Sequence, residues 1–286
     1  MNKRIIISFI IYTVAMPFAL FSQSNGIPVP LITGSIGGFN PESSAIVCES
    51  EHRIFIVNPK TKEKKKISTL TWDATPKWSP DGKTIVFQSY GKLSSSSTFA
   101  IWMVNPDGTN LRQVSPLNTE VAGQHPYWSP DSKKIAWTQG KQLWIANADG
   151  KNAKPLTISP AIEYENILDW SKDGKTILYA RRDGYMVEDK LQLWTIDVDT
   201  QQQTKINDIS DMNAAKFSED GTTIYFLKND NYINSYNTKT KQIAKFLELK
   251  CKNGVSNFQF SADFKTVLFD DEGPNVDSRV YILKAK

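Results

Sequence analysis

The chain has 286 residues, 40% hydrophobic and 22% charged, with 34 Lys and Arg against 30 Asp and Glu, two His and two Cys. A net charge of +4, of which Lys3 and Arg4 sit in an N-terminal leader, gives no electrostatic footprint for nucleic acid. Two histidines cannot build a His-rich metal site, and two cysteines cannot build a disulfide scaffold or a four-thiolate zinc site.

Residues 1–23 read as a secretory signal peptide. Lys3 and Arg4 form its positive start, Ile5 to Phe21 its uncharged apolar run, and Ser22, Gln23 and Ser24 the small and polar cleavage region. The competing reading is an uncleaved anchor, which Pro17, Ser8 and Thr13 weaken as a stable span. Membrane contact is expected only through this segment if it stays attached. The remainder, residues 24–286, reads as one exported domain, periplasmic or secreted. Export makes a Cys48–Cys251 disulfide chemically accessible, but Cys48 lies in the apolar run Ala45–Cys48 and reads more simply as a small buried hydrophobe.

From residue 39 onward the chain repeats itself. Lys77-Trp78-Ser79-Pro80-Asp81-Gly82-Lys83 returns as Tyr127-Trp128-Ser129-Pro130-Asp131-Ser132-Lys133 and as Asp169-Trp170-Ser171-Lys172-Asp173-Gly174-Lys175. Further copies are Lys216-Phe217-Ser218-Glu219-Asp220-Gly221 and Gln259-Phe260-Ser261-Ala262-Asp263-Phe264, and a degenerate one opens at Phe39-Asn40-Pro41. Anchored at positions 40, 79, 129, 171, 218 and 261, the copies are 39, 50, 42, 47 and 43 residues apart. Each continues into an apolar strand and then a second motif, such as Leu143-Trp144-Ile145-Ala146 running into Asn147-Ala148-Asp149-Gly150. Four short strands per repeat, six times over, predict an all-β, six-bladed β-propeller of four-stranded antiparallel blades. Six of the eight tryptophans fall at two register positions, 78, 128, 170 and 102, 144, 194, where blade-to-blade packing wants large flat rings. Trp137 belongs to a strand, and only Trp72 falls outside the pattern.

The sixth repeat reaches Lys286 just after its third strand, while Pro28–Thr33 precedes the first repeat and resembles the fourth-strand segment Ala153–Thr157. The N-terminal segment is therefore expected to supply the missing strand and close the ring, since an open ring leaves an unpaired edge.

The Trp-Ser-Pro-Asp-Gly-Lys motif with its following strand and Asn-Pro-Asp-Gly turn resembles the WD-like repeat of TolB-type propellers, over residues 27–286. That resemblance implies a periplasmic or envelope setting, and a protein or peptide partner such as a peptidoglycan-associated lipoprotein. TolB-type proteins carry an α/β domain ahead of the propeller, for which the short interval between leader and first repeat leaves no room. Related repeats in prolyl oligopeptidases and oligogalacturonate lyases mean that fold alone does not choose a function.

Strand direction alternates within a blade, so the short Ser-Pro-Asp-Gly turns share one face and the longer loops share the other, where binding is expected. The candidates there are Trp72 with Asp73, His125, Glu163 with Tyr164 and Glu165, Arg181 and Arg182 with Tyr185, and Asp211. Trp72 suits stacking, His125 a place at the channel mouth, the carboxylates a cation or basic peptide, and the arginines a carboxylate. Each also has a plainer role in packing or as a solvated loop charge. Asp270-Asp271-Glu272 lacks the alternating spacing of a calcium loop, and the five lysines in 60–66 read as a solvated outer hairpin. No nucleophile elbow, zinc-protease helix motif or phosphate loop is present, and no cofactor or metal is implied. The expected protein is a monomeric, non-catalytic binding or scaffold propeller. A carbohydrate-active lyase or hydrolase is the alternative, and a structural filler of a larger envelope complex the third option.

Overall fold

A computed structural model describes residues 30–90, 99–115, 125–157, 164–182, 190–228, 231–251, 254–271 and 278–284, and the leader lies outside them. All regular structure among them is β, and no helix there is long and apolar enough to cross a membrane. After β1 (Ile32–Thr33), blade one comprises β2 (Ser35–Phe39), β3 (Ile46–Ser50), β4 (Arg53–Val57) and β5 (Lys64–Lys66). Blade two comprises β6 (Ala74–Trp78), β7 (Ile85–Ser89), β8 (Ala100–Val104) and β9 (Arg112–Gln113). Blade three comprises β10 (Tyr127–Trp128), β11 (Lys134–Gln139), β12 (Gln142–Asn147) and β13 (Lys154–Pro155). Blade four has β14 (Tyr164–Trp170), β15 (Thr176–Arg182), β16 (Gln192–Asp197) and β17 (Gln203–Ser210). Blade five has β18 (Ala214–Phe217), β19 (Thr223–Leu227), β20 (Tyr232–Asn237) and β21 (Ile243–Glu248). Blade six has β22 (Val255–Phe260), β23 (Thr266–Asp271) and β24 (Arg279–Lys284).

Every sheet is a four-stranded antiparallel meander, and the sixth is completed by β1 in the order β1-β24-β23-β22. Ile32 pairs with Val280 and Thr33 with Arg279, while Leu31 N and Gly34 N donate to Val280 O and Ser278 O, each at 2.6 Å. The ring is thus closed by the N-terminal strand. The first strands β2, β6, β10, β14, β18 and β22 touch one another in turn and line the central channel.

The core is six separate wedges, one between each pair of neighbouring blades. Between blades one and two, Val47, Ile54, Leu70, Ile85 and Phe87 are fully buried, with Trp78 and Trp102 packed against them. Trp128 and Trp137 fill the next wedge, and Trp170 the one after, with Trp144 and Trp194 packed alongside. Leu31, Ile32, Cys48 and Val280 share the wedge that joins blade six to blade one. Cys48 and Cys251 are not joined by a disulfide, and burial pushes the Cys48 thiol up to about 12.

The first-to-second turns of blades two to six share one hydrogen-bond pattern. Ser79 Oγ donates to Asp81 Oδ1 at 2.6 Å and accepts from Thr84 N at 2.9 Å, and the same pair recurs at Ser129, Ser171, Ser218 and Ser261. The serine hydroxyls, then the following backbone N–H groups, hold Asp131, Asp220 and Asp263 below the usual carboxylate range. The fourth turn residue needs a left-handed backbone, with φ of 71° at Gly82. Blade six places Phe264 there at 59° and stacks its ring on Phe260 at 4.0 Å. Lys64–Lys66 form an exposed outer edge strand, a placement that discourages edge pairing.

Candidate functional site

Alternation along a strand sends neighbouring side chains to opposite sides. In each first strand the repeat aromatic turns into a wedge, so the residue before it turns toward the channel. Those residues are Gly38, Lys77, Tyr127, Asp169, Lys216 and Gln259. They form a polar ring. Lys77 Nζ and Lys216 Nζ both lie against the Tyr127 ring, at 5.3 and 4.9 Å from its centre. Lys77 donates to Gly37 O at 3.0 Å, and Lys216 donates to Leu168 O at 2.6 Å and to Tyr127 OH at 3.4 Å. Lys216 also pairs with Asp169 at 3.7 Å, and Asp169 accepts Phe217 N at 2.8 Å. A Cβ on residue 38 would lie 2.0 Å from Gln259 Oε1, so glycine there leaves room for the glutamine to reach across.

This ring separates two mouths. On the short-turn face a cavity of about 370 Å³ is walled by Trp128, Trp170, Phe217, Phe260 and Phe264. On the long-loop face a funnel of about 270 Å³ is lined by Ser35, Thr75, Lys77, His125, Tyr127 and Asn166, with Asn213, Asn257 and Asp270 completing it. Asp270 accepts Ile36 N at 2.9 Å and the Ser256 hydroxyl at 2.6 Å.

Burial governs the ionisation of these groups. It pulls the Lys77 ammonium down to about 7, with Lys216 adding to the effect and Asp270 and Asp169 opposing it. His125 is pulled down to about 4 by burial and by Lys77, so it is neutral at physiological pH. Burial pushes Asp270 up to about 6 against the hydrogen bonds from Ser256 and Ile36. Asp169 and Tyr127 are raised, again by burial first. Burial also works against the Lys216 charge, but Tyr127 and Asp169 outweigh it and leave that ammonium raised.

A second feature stands on the same face. Trp72 is 53% exposed with φ +57°, a conformation unfavourable for a bulky residue. It stacks on His52, with ring centres 3.9 Å apart, and meets the edge of Tyr90 at 6.2 Å. Tyr90 in turn stacks on Phe99 at 4.0 Å. His52 belongs to the β3–β4 turn, Trp72 to the connection from β5 to β6, and Tyr90 and Phe99 flank the β7–β8 connection. Four rings from three connections therefore form one ladder across blades one and two.

The other sequence candidates are placed differently. Asp73 is fully buried beside the Ser68 and Ser89 hydroxyls, with burial raising its carboxyl and the hydroxyls partly lowering it, so it offers no surface to a partner. Glu165 is buried too. It accepts from Thr157 Oγ1 at 2.5 Å and from Leu143 N at 3.2 Å, joining blades three and four. Arg181 turns along its own blade, donating to Gln203 Oε1 at 3.0 Å and covering the Trp194 ring at 4.6 Å. Arg182 pairs in register with Tyr164 at the long-loop end of β15. Asp211 is exposed and forms an ion pair with Lys190 at 3.3 Å. Asp270 and Asp271 are both buried, and Asp271 accepts from Tyr281 OH at 2.9 Å, so the acidic run is internal. Glu163, Tyr185, Glu272 and the Tyr164 side chain lie outside the described residues. Among the described candidates, only His125 enters the funnel and only Trp72 enters the aromatic ladder. Lys77, Tyr127 and Asp270 at the funnel, and His52, Tyr90 and Phe99 in the ladder, are additions from the structure. The repeat register held a signal for the ring, since every one of its residues stands just before the repeat aromatic.

No protein-family model matches the chain. The Tol-Pal system protein TolB of Anaeromyxobacter dehalogenans is 31% identical over 93 residues, 31% of this chain and 20% of that protein. Dipeptidyl-peptidase 5 of Porphyromonas gingivalis is 35% identical over 139 residues, 43% of this chain and 19% of that protein. The chain thus matches about a fifth of the length of these relatives. Among solved structures, an oligogalacturonate lyase in complex with manganese superposes with a TM-score of 0.62 over 88% of this chain and 78% of the other. A putative TolB from Agrobacterium tumefaciens gives 0.61 over 88% and 90%, and both are 16% identical. The likeness is one of fold. The chain is a six-bladed β-propeller whose fold resembles that of TolB.

Proposed function

We propose that this propeller is an exported, non-catalytic binding module that engages an envelope protein or peptide through its long-loop face. The observation that carries the reading is the ladder His52–Trp72–Tyr90–Phe99, which presents a half-exposed Trp on stacked neighbours. Large rings already held in place bind with little further loss of side-chain entropy. The polar funnel beside it supplies orientation. The similarity to a Tol-Pal system protein supports an envelope setting and a partner akin to a peptidoglycan-associated lipoprotein, and the leader-like residues 1–23 support export to the periplasm. The recurrence of the Ser–Asp turn in five blades supports reading the repeat as WD-like. Affinity capture from envelope extract tests the reading with wild type and a Trp72→Ala, Tyr164→Ala double variant. One specific partner retained by wild type and lost by the variant is the expected result, and equal capture by both refutes it.

A carbohydrate-active lyase or hydrolase is the second reading. Lys77 near 7 and Asp270 near 6 are poised where a general base and a general acid work at neutral pH. Incubation with acidic oligosaccharides and cell-wall fragments decides it. Product formation lost on replacing Lys77 or Asp270, or His125, Arg182 or Glu163, would overturn the binding-module reading.

A further inference from the structure

Lys77 is placed unlike the other ring cation. Lys216 is committed to Leu168 O, Tyr127 OH and Asp169, whereas Lys77 Nζ donates to Gly37 O at 3.0 Å and otherwise faces the Tyr127 ring. An ammonium carries three donors, and the Lys77 head group borders the 270 Å³ funnel. Facing it are Glu49 from β3, His125 and Tyr127 from blade three, Asp169 and Lys216 across the ring, and Asp270 from β23. The Asp270 oxygens are held by Ile36 N and Ser256 Oγ, so that carboxylate is anchored in blade six. His125 is neutral, which leaves Lys77 as the cation lining this funnel among the described residues. The volume suits one side chain and excludes a folded element.

We propose that the funnel is a subsite for a single carboxylate, the acidic side chain of a bound peptide, which pairs with the Lys77 ammonium while the rest of the peptide lies across the aromatic ladder. This rests on the binding-module reading and names the chemistry of its central contact. Binding depends on pH in a definite direction. Lys77 loses its charge as pH rises through about 7, and Asp270 gains its charge through about 6. Burial also raises the Glu49 carboxyl above its ordinary range. The funnel therefore passes from cationic to anionic between mildly acidic and mildly alkaline pH, and a carboxylate binds best on the acidic side.

The test follows the Lys77 side-chain resonances of lysine-labelled protein during titration with N-acetyl-glutamate amide, N-acetyl-glutamine amide and galacturonate. The glutamate derivative should bind at least about tenfold more tightly than the glutamine one. Its affinity should fall about tenfold or more from pH 6 to pH 8, following the ammonium fraction of a group titrating near 7. Lys77→Met should abolish binding, and Lys77→Arg should keep it at pH 8, because the guanidinium stays charged. Equal binding of the two amides, wild-type affinity in a folded Lys77→Met variant, or binding of galacturonate in preference to the glutamate derivative each overturns the proposal. Glutamate-amide binding without capture of any envelope partner would sink the binding-module reading and leave the subsite standing. Partner capture that ignores Lys77 would do the reverse.

Discussion

Replacing Ile32 by Ala tests how the ring is held shut. Ile32 is 5% exposed and shares its wedge with Ile46, Cys48, Leu268 and Val280, so it joins the last blade to the first through side chains as well as through β1 pairing. Truncating a buried Ile to Ala costs about 2–5 kcal/mol, transfer and cavity terms together. The lower half of that range fits a two-residue strand at a sheet edge, which can relax. For a domain of this size each kcal/mol lowers Tm by about 2–4 °C, so a drop of about 4–14 °C is expected. Thr33→Ala is the control, because Thr33 points to solvent and keeps its backbone pairing with Arg279. Its Tm should stay within a degree or two of wild type. Deleting residues 24–34 also removes the Leu31 and Gly34 hydrogen bonds and bares the edge of β24, and should add aggregation to the loss of stability. Thermal unfolding followed by circular dichroism reads all three. Ile32→Ala melting with wild type would show that β1 does not hold the ring.

Three further outcomes are expected. Ser171→Ala removes a hydroxyl that donates to Asp173 at 2.7 Å and accepts from Thr176 N at 2.9 Å, and should cost about 1–3 kcal/mol in a urea melt; a change below a few tenths would mean that the repeat turns do not depend on this pair. Asp270 is raised to about 6 in the folded protein from an ordinary 3.8, so the folded state binds the extra proton between those values. Its contribution favours folding at acidic pH and is lost as pH rises through about 6; the difference in stability between wild type and Asp270→Asn should change across pH 4–6, and a constant difference refutes the assignment. Trp72→Gly exchanges a stacked ring for relief of a left-handed backbone, so Tm should stay close to wild type while partner capture is lost; a loss of both would make Trp72 a packing residue.

The architecture was legible because its signals are periodic. The aromatic at positions 78, 128, 170, 217 and 260 and the Ser–Asp pair behind it recur at fixed register, and a wedge and a turn follow from them in blades two to six. The closing strand was legible from Pro28–Thr33 and the short sixth repeat together. Channel chemistry was not, because it comes from convergence. Lys77, Tyr127, Asp169 and Lys216 stand in four different repeats and become neighbours only when the ring forms. Asp73 and Glu165 looked like solvated loop acids, yet each is buried beside a hydroxyl, Ser68 or Thr157, on the preceding blade. The aromatic ladder escaped for a different reason. His52, Tyr90 and Phe99 lie in connections of unequal length, where no period constrains them, so Trp72 stood alone in the sequence.

The central claim is that a partner engages the long-loop face, and site-specific photo-crosslinking measures this most directly. A photoreactive residue at Trp72 or Tyr90 reports on the ladder, and one at Pro130 or Lys172 reports on the opposite mouth, which those residues border. Irradiation in envelope extract should yield one discrete crosslinked species from positions 72 and 90 and none from 130 and 172. The same species arising from the short-turn positions alone would contradict the account.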